Sequence, residues 1–149
     1  MGRPSRDELC MQIAHLVAKR GTCSRASVGA TLARNGRILV TGYNGPPSGL
    51  PHCTDPNGCS LTDRASDAGC LRSVHAEANA IAYAARHGIS TDGADLYCTH
   101  LPCLKCSELI VNAGIRRCFY SLDYRIKDGE VLLRNAGVDI INLVMHDES

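Results

Sequence analysis

Apolar positions recur at helical spacing in four stretches of the chain, and five shorter runs are rich in β-forming residues. Ser5 followed by Glu8 forms a capping box, after which Leu9, Ile13, Leu16 and Val17 make an apolar stripe that Gly21 closes. This predicts a first helix from Ser5 to Arg20. Two β-rich runs follow, Val28 to Ala33 and Arg37 to Gly42, joined around Asn35-Gly36, a strong hairpin signal. The alanine-rich run from His75 to His87 favours helix and stops at Gly88. Ala94 to Cys98 then reads as strand, Cys103 to Ala113 as helix ended by Gly114, and Arg117 to Ser121 as strand. Glu130 to Asn135 predicts a last helix, and Val138 to Val144 a last strand. Five strands with interleaved helices imply an α/β fold, a three-layer α/β/α sandwich around a five-stranded mixed sheet. Parallel strands in its second half would put a site at their carboxyl ends.

Between Tyr43 and Arg72 the pattern disappears into Gly, Pro, Asp and Cys, a length that a structureless loop in a compact domain seldom reaches. Something must anchor it. At 149 residues the chain is expected to form a single domain, 1–149.

Hydrophobic residues at 44% and charged residues at 21% fit an ordinary globular protein. No run approaches the length of a membrane span, and Met1 to Arg6 opens on polar and basic residues, so a cytoplasmic location and no membrane partner are expected. A net charge of +1, with no Trp and one Phe, is a poor basis for gripping a nucleic-acid polymer or stacking its bases. A small phosphorylated ligand remains compatible.

Nine cysteines change the picture. Their odd number and the absence of an export signal favour metal ligands and buried thiols over disulfides. Cys10, Cys98 and Cys118 fall within helix or strand patterns and read as buried thiols. His75-Ala76-Glu77 opens one helix, and Pro102-Cys103-Leu104-Lys105-Cys106 opens another. Two cysteines three apart at a helix N-terminus can ligate one ion, because the first turn brings their sulfurs together and the helix dipole favours thiolates. With His75 they make three ligands for Zn²⁺, leaving one tetrahedral position for water, the mark of a catalytic site. Glu77, two residues after His75, is placed as the proton shuttle. A lone Cys-x-x-Cys is weak evidence, shared by redox pairs and structural zinc sites. Joined to His-x-Glu and a preceding Pro, it is the signature of zinc-dependent nucleobase deaminases.

At these residues the chain resembles the deoxycytidylate deaminase family of the cytidine deaminase superfamily. The likeness covers nearly the whole chain, through CSRASVGATL, GRILVTGYNGPPSGLPHC, HAEANAI, LPCLKCSELIVNAGI and LLRNAGVDI. It implies hydrolytic deamination of deoxycytidine monophosphate to deoxyuridine monophosphate and ammonia. It also implies Asn44 on the sugar 3′-hydroxyl, Val28 to Ala30 flooring the base pocket, Ala76 on the substrate, Ser24 and Arg25 toward the phosphate, and Tyr124 closing over it. His100, just before Pro102, falls at the pocket border without an assigned role.

The same resemblance implies a homo-oligomer, a hexamer, activated by deoxycytidine triphosphate with Mg²⁺ and inhibited by thymidine triphosphate. Tyr43, Gly45, Ser48 and Arg86 are its expected effector positions. Some family members carry a second, structural zinc at positions matching Cys23 and Cys53. Here Cys59 and Cys70 would complete a Cys₄ site, or His52 would replace one of them, and such a closed site would fold the long segment. Two alternatives stay open: a deaminase acting on both the mono- and triphosphate, and a deaminase-like protein that binds without catalysis.

Overall fold

The computed structural model describes residues 2–23, 26–52, 64–65, 69–70 and 73–145. Cys53, Cys59, Ser24 and Arg25 lie outside them, as does the side chain of Cys70. Helix α1 (Arg6–Ala18) starts at the expected capping box: the Ser5 hydroxyl accepts from the Glu8 N–H at 3.0 Å, and Glu8 accepts from the Ser5 N–H at 2.7 Å. Strands β1 (Gly29–Arg34) and β2 (Arg37–Tyr43) form the Asn-Gly hairpin, with positive φ at both Asn35 and Gly36 as a type I′ turn demands. Two short strands, β3 (Arg64–Ala65) and β4 (Gly69–Cys70), pair with each other. Then come α2 (Ala76–Arg86), β5 (Asp95–His100), α3 (Leu104–Asn112), β6 (Arg117–Leu122), α4 (Asp128–Asn135) and β7 (Asp139–Asn142).

The main sheet has the order β2-β1-β5-β6-β7. β1 is antiparallel to both neighbours, while β5, β6 and β7 run parallel. The sheet is therefore mixed and five-stranded. Alternation along the strands separates two faces. Leu96, Cys118, Tyr120 and Ile140 join the core under α2, α3 and α4, with Cys98 on the same face opposite Ala30 and Tyr120, whereas Tyr97 and Phe119 pack with Cys10, Met11 and Ala14 of α1. Each fully buried Leu or Ile here contributes about 1.5–3 kcal/mol.

Two glycines set how closely helices approach the sheet. A Cβ on Gly29 would run into the Ala14 carbonyl oxygen and stand 2.7 Å from the Ala18 nitrogen. One on Gly42 would strike the Ala76 carbonyl oxygen and stand 2.8 Å from the Ala80 nitrogen. That approach explains a departure from the apolar stripe read in α1. Its buried face is Cys10, Met11, Ala14 and Ala18, with the two alanines at the close approach to Gly29, while Leu9 and Leu16 are 43% and 62% exposed. Large leucines cannot enter a contact that Gly29 makes this close.

β5 runs two residues past the expected end, carrying Thr99 and His100 into the sheet, and β7 stops earlier, at Asn142. After β2 the segment is clamped by an antiparallel bridge between Gly45 and Val74, with Val74 N–H donating to Gly45 O at 2.7 Å. Asn79 of α2 adds a bond from its side-chain amide to Tyr43 O at 2.6 Å. Among the described residues, no helix is long and apolar enough to cross a membrane.

Candidate active site

Three chain segments converge at the carboxyl ends of β2, β5 and β6, where the N-termini of α2 and α3 also point. Helices commonly begin with Ser, Thr, Asp or Asn, whose side chain caps the free N–H groups. α2 and α3 begin instead with His75 and Cys103 in extended backbone conformation, and neither side chain caps its helix. They face each other: His75 Nδ1 lies 3.4 Å from Cys103 Sγ and 3.4 Å from Cys106 Sγ. All three donor atoms fall within 4.8 Å of one another. Tetrahedral zinc with ordinary Zn–N and Zn–S bonds sets such donors about 3.5 Å apart, so the cluster fits that ion. Among the described residues this is the one His/Cys/carboxylate group with donors so close.

The electrostatics suit thiolate ligation. The Cys103 thiol is pulled down to about 4 by the hydrogen bond from Cys106 and then by His75, against the opposing effect of burial. Cys106, left holding the proton of the pair, is pushed up by that hydrogen bond and by burial. One proton thus sits between two sulfurs that a dication would replace. Ser107 steadies the turn, its hydroxyl donating to Cys103 O at 2.8 Å, and Gly129 lets α4 pack against Pro102 and Ser107 with no room for a Cβ. Neither support figured in the sequence reading; the Gly129 contact joins α4 to the start of α3 across the fold.

Glu77, 3% exposed, sits in the first turn of α2 beside the cluster. Its Oε1 accepts a hydrogen bond from Cys98 Sγ of β5 at 3.0 Å. The expectation for Cys98 was a buried thiol; it is buried, and it also touches Glu77. The two side chains belong to different layers, and no local pattern in either segment announces the contact.

A cavity of about 240 Å³ opens over these groups, lined by Ala26, Val28, Asn44 and Ser73 on one side, and by His100, Leu101, Tyr124 and Arg125 on the other. His75, Ala76, Glu77 and Cys103 form its floor, and Cys23 also borders it. Asn44 is buried, and its amide braces the wall: Oδ1 accepts from Val28 N–H at 2.8 Å and Nδ2 donates to Ala26 O at 2.7 Å. Nδ2 keeps one further N–H. Thr99 Oγ1 accepts from Gly29 N–H at 3.1 Å and lies 2.8 Å from His100 Nδ1. Burial pushes His100 below its ordinary value, with His15 acting the same way and Glu77 opposing, so the imidazole is neutral at neutral pH. Tyr124 is half-buried, and the Arg125 guanidinium stands 5.9 Å from its ring centroid. Arg125 was not among the expected site residues; its adjacency to Tyr124 was the only signal.

Of the expected effector positions, Tyr43 and Gly45 sit together at the end of β2, and Ser48 follows on the exposed turn. Arg86 is exposed at the opposite end of α2, about 10 Å along the helix from Asn79, which holds Tyr43. Near the cavity, Thr22 Oγ1 lies 2.9 Å from His52 Nδ1.

The sequence profile of the family described as "Cytidine and deoxycytidylate deaminase zinc-binding region" matches residues 4–122. Over 141 residues the chain is 42% identical to ComE operon protein 2 of Bacillus subtilis, with 94% of this chain and 72% of that protein covered. Over 153 residues it is 38% identical to the deoxycytidylate deaminase of Schizosaccharomyces pombe, covering 99% of this chain and 47% of that protein, and so spans about half the length of that relative. Among solved structures, the dCMP deaminase of cyanophage S-TIM5 in complex with dCMP and dUMP matches with a TM-score of 0.81 at 35% identity, covering 96% of this chain and 100% of that one.

Proposed function

The chain belongs to the cytidine and deoxycytidylate deaminase family, and on that premise we propose that it hydrolyses deoxycytidine monophosphate to deoxyuridine monophosphate and ammonia. The observation that carries this reading is Glu77 buried beside the His75, Cys103 and Cys106 cluster at the floor of a cavity. A zinc ion held by those three side chains supplies a Lewis acid that makes water nucleophilic at neutral pH. The cyanophage relative, solved with dCMP and dUMP, supports the choice of substrate and product.

In this reading the base enters with its ring over Val28 and its carbonyl toward the N–H of Ala76, a donor of the first helical turn that has no partner within the helix. Glu77 takes a proton from the attacking water and lends it to ring N3 as the C4–O bond forms. As the C4–N bond breaks, Glu77 passes the second water proton to the departing amine, and ammonia leaves. Asn44 offers its remaining N–H to the sugar 3′-hydroxyl while its other bonds keep the wall in place. Tyr124 closes over the ligand, Arg125 gives the rim a cation for the phosphate, and Ser24 and Arg25 are assigned to the phosphate by the family resemblance.

An ammonia-release assay with deoxycytidine, its mono- and triphosphates and cytidine monophosphate tests the proposal. Turnover of the deoxy-monophosphate, lost on chelation and restored by zinc, is expected; exclusive turnover of the unphosphorylated nucleoside overturns the substrate. ComE operon protein 2 carries a name that states no reaction. Absence of turnover with every substrate would favour a binding role for this chain.

The reading extends to a second, structural zinc held by Cys23 with Cys53, Cys59 and Cys70, or with His52 in place of one. The contact between Thr22 and His52 supports it by tying the turn that carries Cys23 to the segment that carries His52. Metal analysis should find a second zinc equivalent per chain. A homo-hexamer activated by deoxycytidine triphosphate with Mg²⁺ and inhibited by thymidine triphosphate, through Tyr43, Gly45, Ser48 and Arg86, completes the proposal. A hyperbolic saturation curve unchanged by either triphosphate removes that regulation.

A further inference from the structure

We propose that Cys98 is a positioning residue for the reaction: its thiol holds Oε1 of Glu77 so that the other carboxylate oxygen is presented to the substrate. The inference rests on the assignment of Glu77 as proton carrier. Cys98 lies on β5 between Ala30 of β1 and Tyr120 of β6, on the sheet face that packs under α2. It is fully buried, and its sulfur stands 3.0 Å from Glu77 Oε1. Burial first, and the neighbouring Glu77 charge second, push the thiol well above its ordinary value, so it stays S–H and acts as a donor at any working pH.

The choice of donor has a chemical consequence. A guanidinium or ammonium at this position would hold the carboxylate in its charged form and oppose each protonation the reaction requires. A thiol is a weak, neutral donor, sufficient in a dry core to select one rotamer of Glu77. A group that must reach ring N3 and then the amine loses rate when its geometry relaxes by even a fraction of an ångström.

Three variants test this. Cys98→Ala and Cys98→Val remove the donor, the second while filling the space. Each should lower kcat about tenfold, the loss of one hydrogen bond from the transition state, with KM within about twofold and zinc content unchanged. Cys98→Ser keeps a donor and should recover kcat to within about threefold of the parent. Wild-type kcat in Cys98→Ala or Cys98→Val overturns the proposal, as does a Cys98→Ser variant that falls as far as they do. Glu77→Gln, made in parallel, separates the two claims: turnover retained there removes the underlying role of Glu77, whereas its loss beside wild-type kcat in Cys98→Val removes only the role of Cys98.

Discussion

Two carboxylates are buried at opposite ends of the same central strands, and the fold treats them differently. Asp95, 2% exposed at the start of β5, is gripped by both Nε and Nη2 of Arg117, at 2.9 and 2.8 Å, and by Nε of Arg116 at 3.2 Å. Burial pushes its carboxyl up, but Arg117 and then Arg116 outweigh it and hold it below the usual carboxylate value. Close by, the Tyr97 hydroxyl donates to Asp7 at 2.5 Å, and Phe119 stacks on Tyr97 with the Arg117 guanidinium over its ring. Glu77, equally buried beyond the other end of β5, receives the thiol of Cys98 and faces the cavity. Asp95, which stays charged, is given cations; Glu77, the proposed proton carrier, is given a weak donor and an opening.

Substitution at each carboxylate should break this contrast in opposite ways. Glu77→Gln should reduce kcat about 10³-fold while zinc content and melting temperature stay near the parent's, since the role proposed for the residue is proton transfer. Stopped-assay kinetics and metal analysis would show it, and a fall in melting temperature matching the fall in rate would make Glu77 a structural group instead. Asp95→Asn should act the other way. Disrupting a buried, bidentate pair costs about 3 kcal/mol, or roughly 10 °C in melting temperature, with kcat at low temperature within about twofold of the parent.

The sign of the Asp95 shift sharpens the same point. Because its folded value is depressed, the ion pair contributes stability above the unfolded value of about 3.9, and that contribution is lost as pH falls through the lower folded value. Urea unfolding of the parent and Asp95→Asn should therefore differ by a constant amount from about pH 7 to 5, and the difference should shrink only as pH falls below about 3.9 toward the lower folded value. A difference that already shrinks as pH falls from about 7 to 5 contradicts the assignment. The smallest effect is expected for Tyr97→Phe, which removes one hydrogen bond to half-exposed Asp7 and should cost about 1 kcal/mol by the same measurement, with no change in kcat.

Legibility from sequence followed the range of the forces involved. The α1 capping box, the Asn35-Gly36 turn and the His75 and Cys103 helix starts were readable because each is decided within a few residues. The buried face of α1 was not, because the close approach at Gly29 requires the small Ala14 and Ala18 there and turns Leu9 and Leu16 outward. In the site, His75, Glu77, Cys103 and Cys106 were legible as a set from residue type and spacing. Their supports were not: Ser107 and Gly129 meet between α3 and α4, and Thr99 reaches back to Gly29 through strand pairing.

By itself, then, the sequence determined the chemical inventory and the local elements, since donor type, capping and turn formation depend on neighbours along the chain. Tertiary structure alone decided the placement of Cys98 against Glu77, the use of Asn44 as a brace for Ala26 and Val28, and the arginine pair around Asp95. Those contacts depend on strand register and on how closely helices settle onto the sheet, and both are set by packing across the whole domain.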